Sequence, residues 1–263
     1  MKILPPDAHI GRVDLTVRDL DASVAFYRDV LEFRAISHDD GEAALTADGS
    51  GTLIALHGRR DAVAKPRRST GLFHFAILVP TRAALGRSLR RLIDTRWQLS
   101  GAADHLVSEA LYLNDPDGLG IEIYRDRPRE DWSTVAGQIA MATDPLDLED
   151  VASEPGADTP WTGLEPATVI GHVHLHVAAL EGAEQFYCGR VGFAPTVRGY
   201  PGALFVSAGG YHHHLGLNTW VGEGAPPPPE NAVGLRSFTV RAQSLASEDA
   251  EDASTRVVVR LGA

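Results

Sequence analysis

The chain repeats itself. The stretch GRVDLTVRDLDASVAFYRDVLEF from Gly11 and the stretch GHVHLHVAALEGAEQFYCGRVGF from Gly171 align at a constant offset of 160 residues without a gap. The offset carries Phe26 onto Phe186, Tyr27 onto Tyr187 and Phe33 onto Phe193. Each copy reads as a strand with period-two alternation, a turn, and an amphipathic helix that ends near an aromatic. Two further strand starts fit the same frame. GLFHFAILVP, from Gly71, leads into RAALGRSLRRLID, whose Leu85, Leu89 and Leu92 fall at helical spacing. GLRSFTVRA, from Gly234, begins a fourth unit.

Four modules are therefore expected, near residues 9–58, 71–125, 169–220 and 234–263. Taken in order they make a first domain over 9–125, an acidic linker over 126–168 and a second domain over 169–263. Within the linker, TVAGQIAM reads as helical. GEGAPPPPE, 222–230, reads as a stiff extended connector. The fourth module is short. AQSLASEDAEDASTR and VVVRLGA leave too little chain for a helix and three strands, and the acidic stretch reads as disordered.

At 263 residues the chain can bury a sizeable core, and its 44% hydrophobic and 22% charged residues are those of a soluble globular protein. A net charge of −11 argues against a nucleic-acid surface, and Lys65, Arg67 and Arg68 are too short a basic run to make one. The single cysteine, Cys188, permits no internal disulfide, fits a reducing cytoplasm and reads as a packing residue. MKILPPDAHI has no long apolar run, so neither a signal peptide nor a membrane span is expected.

The histidines are unevenly placed. His172, His174 and His176 alternate with Val173 and Leu175, so all three face one side of a strand. His212, His213 and His214 stand in a row in GGYHHHLGLNTW. A lone strand histidine is usually packed or at the surface. Two such clusters point instead to a metal or a polar cavity. His212 is expected to turn away from its neighbours, and His9, His38 and His57 to lie on the surface or in loops. Tyr27 and Tyr187 read as core residues, and Arg12 with Asp14 as a structural ion pair.

The segment DHLVSEALYLNDPDGLGIE, Asp104 to Glu122, carries the densest pattern. ALYL is a run of strand formers. NDPDG is a turn in which Pro presets φ and Gly permits positive φ. GIEIY returns as a strand, with Ile121 and Ile123 on one face and Glu122 and Tyr124 on the other. His105, Leu111, Tyr112, Asp115, Pro116, Gly118 and Glu122 together resemble the signature of the extradiol ring-cleaving dioxygenases. Ala103 departs from it, where that family prefers Gly two residues before the His.

The FY-to-Phe repeat resembles the opening of modules in the vicinal oxygen chelate superfamily of glyoxalases, resistance-type binding proteins and extradiol dioxygenases. The likeness is greatest to the bacterial two-domain catechol-2,3-dioxygenases. It rests on GLFHFAILVP, SEALYLNDPDG, GIEIYRDRPR, IGHVHLHV and SAGGYHHHLGLNTW, and covers nearly everything before residue 240. It implies an α+β fold of tandem βαβββ modules in two cup-shaped half-barrel domains, with the fourth module truncated.

The resemblance also implies Fe(II) held by two imidazoles and one carboxylate on one octahedral face, the other face open for substrate and dioxygen. In that superfamily the ligands lie on the first and last strands of a module. His74 lies five residues before Val79, and His172 five before Val177; Arg12 holds that place before Val17. The implied ligands are His74, Glu122 and His172, which favours a cup from modules two and three and leaves one and four as its partner. Pairings one with two and three with four rank below it. His105 and Tyr112 would hold the substrate, and His213 or His214 would be the acid and base. The implied reaction opens catechol or a substituted catechol beside the diol, inserting both atoms of O2. Two alternatives are a glyoxalase-type metal-dependent isomerase or lyase and a metal-free binding protein. Cup folds often associate, so a homo-oligomer is a candidate assembly.

Overall fold

The computed structural model describes residues 2–39, 41–160 and 162–263. Module one runs β1 (His9–Val17), α1 (Leu20–Asp29), β2 (Arg34–Asp39), β3 (Glu42–Thr46) and β4 (Ile54–Gly58). Module two runs β5 (Gly71–Leu78), α2 (Arg82–Asp94), β6 (Leu99–Asp104), β7 (Ser108–Asn114) and β8 (Gly120–Asp126). The linker holds a hairpin, β9 (Thr134–Val135) and β10 (Gln138–Ile139), and the short helix α3 (Leu148–Ser153). Module three has β11 (Val169–His176), α4 (Leu180–Glu184), a π-helical continuation (Gln185–Val191), β12 (Ala194–Val197), β13 (Ala203–Ser207) and β14 (Leu215–Asn218). Module four is β15 (Gly234–Arg241), β16 (Glu248–Asp252) and β17 (Val257–Gly262).

Local chemistry explains the helices. Asp19 caps α1 by accepting from the Ala22 N–H, and Thr81 caps α2 by accepting from Ala84. The predicted apolar stripe of α2, Leu85, Leu89 and Leu92, is buried. The repeat persists where the first helix ends. Glu32 has φ +59° and its counterpart Gly192 has φ +108°, so both copies turn out of the helix through the left-handed region.

The architecture is α+β, in two sheets that do not follow module order. A seven-stranded sheet runs β16-β17-β15-β1-β4-β3-β2, and an eight-stranded one runs β12-β13-β14-β11-β5-β8-β7-β6. Modules one and four share the first, and modules two and three the second. The joints are the antiparallel first strands, β1 with β15 and β5 with β11. Hydrogen-bonded sheets thus cross the linker at 126–168, whereas module one meets module two, and module three meets module four, through side chains. Tyr27 of module one reaches Asp115 of module two at 3.3 Å, and its repeat partner Tyr187 reaches Asp252 of module four at 3.1 Å. Both tyrosines are fully buried.

Two local expectations change. TVAGQIAM contains the hairpin β9–β10 rather than a helix; Gly137 at φ +76° and Ala136 at φ +51° supply the reversal. The acidic stretch near the C-terminus is ordered as β16, antiparallel to β17, because Ala250 and Asp252 turn inward and Asp252 is satisfied by Tyr187 and Thr255. Module four is incomplete, as its length required: among the described residues it has three strands and no helix.

Candidate metal centre

The second sheet brings its chemistry together at the β8–β5–β11 joint. In register, Ala76 of β5 lies beside Glu122 of β8 on one side and beside His172 of β11 on the other. The methyl of Ala76 keeps the floor low, so the two flanking side chains lean toward each other. His74 lies two residues along the same strand and completes the group. His74 Nε2 is 2.9 Å from Glu122 Oε2, and His172 Nε2 is 3.1 Å from the same oxygen. One candidate ligand atom from each residue falls within 4.8 Å of the others. Among the described residues this is the one such group of His, Cys, Asp and Glu.

All three side chains are buried. Burial would raise the Glu122 carboxyl, but the rings of His172 and His74 outweigh it and hold Glu122 well below the usual carboxylate range. Burial pushes His172 down against the pull of Glu122. The donor set therefore offers an ionised carboxylate and imidazole nitrogens. His74 Nε2 is also buried without a hydrogen-bond partner among the described residues, its approach to Glu122 being too oblique for one. A buried nitrogen lacking a partner, beside a shared carboxylate oxygen, fits a divalent metal ion.

The group opens on a cavity of about 450 Å³. His105 and Tyr112 line it, joined by a 2.6 Å hydrogen bond from the Tyr112 hydroxyl to His105 Nε2, while His105 Nδ1 donates to the Ala142 carbonyl at 2.6 Å. Tyr112 stands cross-strand to Glu122, and burial followed by that charge keeps it a neutral phenol. His213 also faces the cavity, its ring 4.2 Å from that of His172. His214 does not line it. Its Nδ1 accepts from the Ala208 N–H at 3.1 Å, its ring lies against Tyr211, and burial pushes it down to about 3.

Some lining residues were not read from the sequence. Met141, Ala142 and Thr143 of the linker form one wall, and Thr143 hydrogen-bonds Tyr200 at 2.9 Å. His174, which strand alternation placed on the same face as His172, lines the cavity as well, held by Asn218 at 3.0 Å; Asn218 also meets His176 at 2.7 Å. A Cβ at Gly216 would come within 2.7 Å of the His174 ring, so glycine is what lets that ring lie flat on β14. His212 does not turn away from its neighbours. It is fully buried, and its Nδ1 is 2.8 Å from His213 Nδ1. Triple histidine runs carry no period that would tell these orientations apart. His57 is on β4 rather than in a loop, between Glu42 at 2.9 Å and Asp14 at 3.4 Å. Arg12 and Asp14 do form the expected ion pair, at 3.1 Å.

This fold is shared with known proteins. Residues 9–123 match the family described as Glyoxalase/Bleomycin resistance protein/Dioxygenase superfamily. The chain belongs to this superfamily. It is 50% identical over 244 residues to the catechol-2,3-dioxygenase of Bacillus subtilis (strain 168), covering 91% of this chain and 85% of that protein. Among solved structures, a Bacillus subtilis protein provisionally described as a dioxygenase matches with a TM-score of 0.66 at 13% identity, over 99% of this chain and 86% of that one. A single-residue mutant of glyoxalase I from Zea mays matches with a TM-score of 0.55 at 10% identity, over 97% and 94%. These two likenesses concern the fold alone. No helix among the described residues is long and apolar enough to cross a membrane.

Proposed function

We propose that the protein is an Fe(II)-dependent extradiol dioxygenase that opens catechol or a substituted catechol beside its diol and inserts both atoms of O2. The observation that carries this reading is the convergence of His74, Glu122 and His172 on one point, with His105, Tyr112 and His213 around the same cavity. The 50% identity to a catechol-2,3-dioxygenase supports it. His74, Glu122 and His172 would hold the iron. Bound there, the ion would template the diol and dioxygen and favour loss of a diol proton.

The remaining roles belong to the chain's own side chains. Tyr112 donates its phenol hydrogen to His105, which leaves the phenol oxygen to accept from a substrate hydroxyl, so the pair would hold the diol against the β7 wall. His213 is the acid and base in this reading, because it faces the cavity and His214 does not. Burial holds His213 well below its usual value, which keeps a lone pair available at neutral pH. Phe73, Leu113, Ile121, Met141, Phe205 and Trp220 give the cavity an apolar wall that excludes water from the ring, and no Lys or Arg lines it among the described residues. A charged ring substituent would find no counter-ion on this wall. Homo-oligomeric association and a cytoplasmic site of action accompany this reading.

The test is anaerobic reconstitution with Fe(II), addition of catechol and then air, with oxygen uptake followed beside visible absorbance. Stoichiometric uptake with a yellow ring-fission product is expected. Iron bound without uptake on catechol or methylcatechols would overturn the reaction, and failure to bind iron would overturn the ligand set.

A further inference from the structure

We infer that Asp126 is a positioning residue for His213 and acts through His212. The inference rests on the dioxygenase reading only for what His213 does; the hydrogen-bond chain stands by itself. Asp126 ends β8, four residues beyond Glu122, and spends its carboxylate on module three. Its Oδ1 lies 2.9 Å from His212 Nε2, and its Oδ2 accepts from the Tyr211 hydroxyl at 2.9 Å.

A carboxylate can only accept, so His212 Nε2 carries a hydrogen. In the neutral ring His212 Nδ1 is then a bare acceptor, and it stands 2.8 Å from His213 Nδ1. The hydrogen in that contact belongs to His213. His213 Nε2 is left without a partner among the described residues, on a ring that lines the cavity. Asp126, His212 and His213 thus set which nitrogen of His213 presents its lone pair. The reverse tautomer could only donate from Nε2 and could not take a proton from a substrate hydroxyl.

The surroundings hold this order in place. The His212 ring is fully buried, with Tyr211 at 4.0 Å and Trp132 at 5.2 Å between centroids, so it has no room to turn over. Trp132 comes from the linker, and Tyr211 is itself held by Tyr124 at 2.7 Å. Two modules and the linker therefore converge to fix one imidazole that touches neither the cavity nor the metal ligands through a hydrogen bond. A ring kept only for packing would not need a carboxylate aimed at one nitrogen and a second imidazole at the other.

The test reads the tautomer directly. In protein labelled with 15N-histidine and loaded with Zn(II), long-range 1H–15N correlation spectra should show His213 protonated at Nδ1. Asp126→Asn, whose amide can present N–H in place of the acceptor, should reverse or mix that tautomer with bound metal unchanged. With Fe(II), kcat should fall roughly 10–100-fold, as for other partners one layer behind a metal site, with KM within about twofold. Asp126→Glu should recover part of the loss. His213 protonated at Nε2 in the native protein would overturn the inference. So would an Asp126→Asn protein that keeps both the native tautomer and full kcat while only unfolding more easily. A protein that cleaves no catechol would sink the dioxygenase reading yet leave the tautomer measurement intact.

Discussion

The two sheets pose the same geometric problem and solve it differently. In the eight-stranded sheet the central strand carries Ala76 between Glu122 and His172; in the seven-stranded sheet the matching register puts Asp14 between Ala55 and Ser237. Arg12 takes the place of His74. The carboxylate has moved from the flank to the centre, and every donor around it is already used. Asp14 accepts from Arg12, from Ser237 at 3.0 Å and lies 3.4 Å from His57, while His57 also bonds Glu42. One cup closes its polar groups on themselves. The other leaves a buried His74 nitrogen without a partner beside a shared carboxylate oxygen. The backbone supplies the cup in both cases, and three side-chain identities separate the candidate metal centre from the closed cup.

The largest expected difference follows from exchanging those identities. Glu122→Ala should abolish metal binding and oxygen uptake together, as should His74→Ala and His172→Ala. Arg12→Ala in the other cup should leave metal content at the native stoichiometry, measured by elemental analysis after dialysis. Loss of metal in Arg12→Ala would mean that the two cups are not independent.

Next in size are the residues that face the metal group without belonging to it. Tyr112→Phe and His105→Ala should keep the metal and lower kcat, roughly 10–100-fold, in single-turnover or steady-state oxygen uptake. A smaller contrast concerns charge. The cavity of the first cup is lined by Arg12, Arg236 and Arg260, whereas no Lys or Arg faces the candidate metal centre among the described residues. A catechol bearing a carboxylate on its ring substituent should therefore show a KM raised on the order of tenfold over the methyl analogue, since an unpaired charge would be buried. Equal KM values would mean that the substituent reaches solvent.

How much of this could be read from the chain depends on what kind of pattern carried it. The module starts and α2 follow from periodicity, which sequence displays. The candidate ligands His74, Glu122 and His172 sit on strands at positions the repeat and the Asp-Pro-Asp-Gly turn locate. The pairing of module two with three follows from where the histidines occur. What sequence does not display is side-chain direction in irregular segments. His212, His213 and His214 precede β14 in a non-repetitive turn, so alternation says nothing about which ring enters the cavity. The linker residues that wall the site, Met141 to Thr143, have no pattern because their place is set by contacts with modules two and three, His105 on one side and Tyr200 on the other. The ordering of β16 depends on Tyr187, distant in sequence, reaching Asp252.

The smallest effect separates the cups by stability rather than by chemistry. In the closed cup Asp14 has a carboxyl that burial would raise, but His57, Arg12 and Ser237 together hold it below its ordinary value. A carboxyl depressed on folding contributes stability that is present above its unfolded pKa, near ~3.9, and is lost as pH falls through the folded value. Asp14→Asn keeps the shape and an acceptor but removes the charge that faces Arg12. It should cost about 1.5–3 kcal/mol at pH 7, the range for a hydrogen bond to a charged partner. The gap to the native chain should narrow as the pH is lowered below the ordinary carboxylate range, because native Asp14, held down on folding, is then increasingly protonated as well. Urea unfolding of metal-free protein at neutral pH and below that range measures this without acid release of metal from the other cup. A gap that stays constant would assign the cost to altered packing, and the ion pair at the centre of this cup would then contribute nothing to holding it shut.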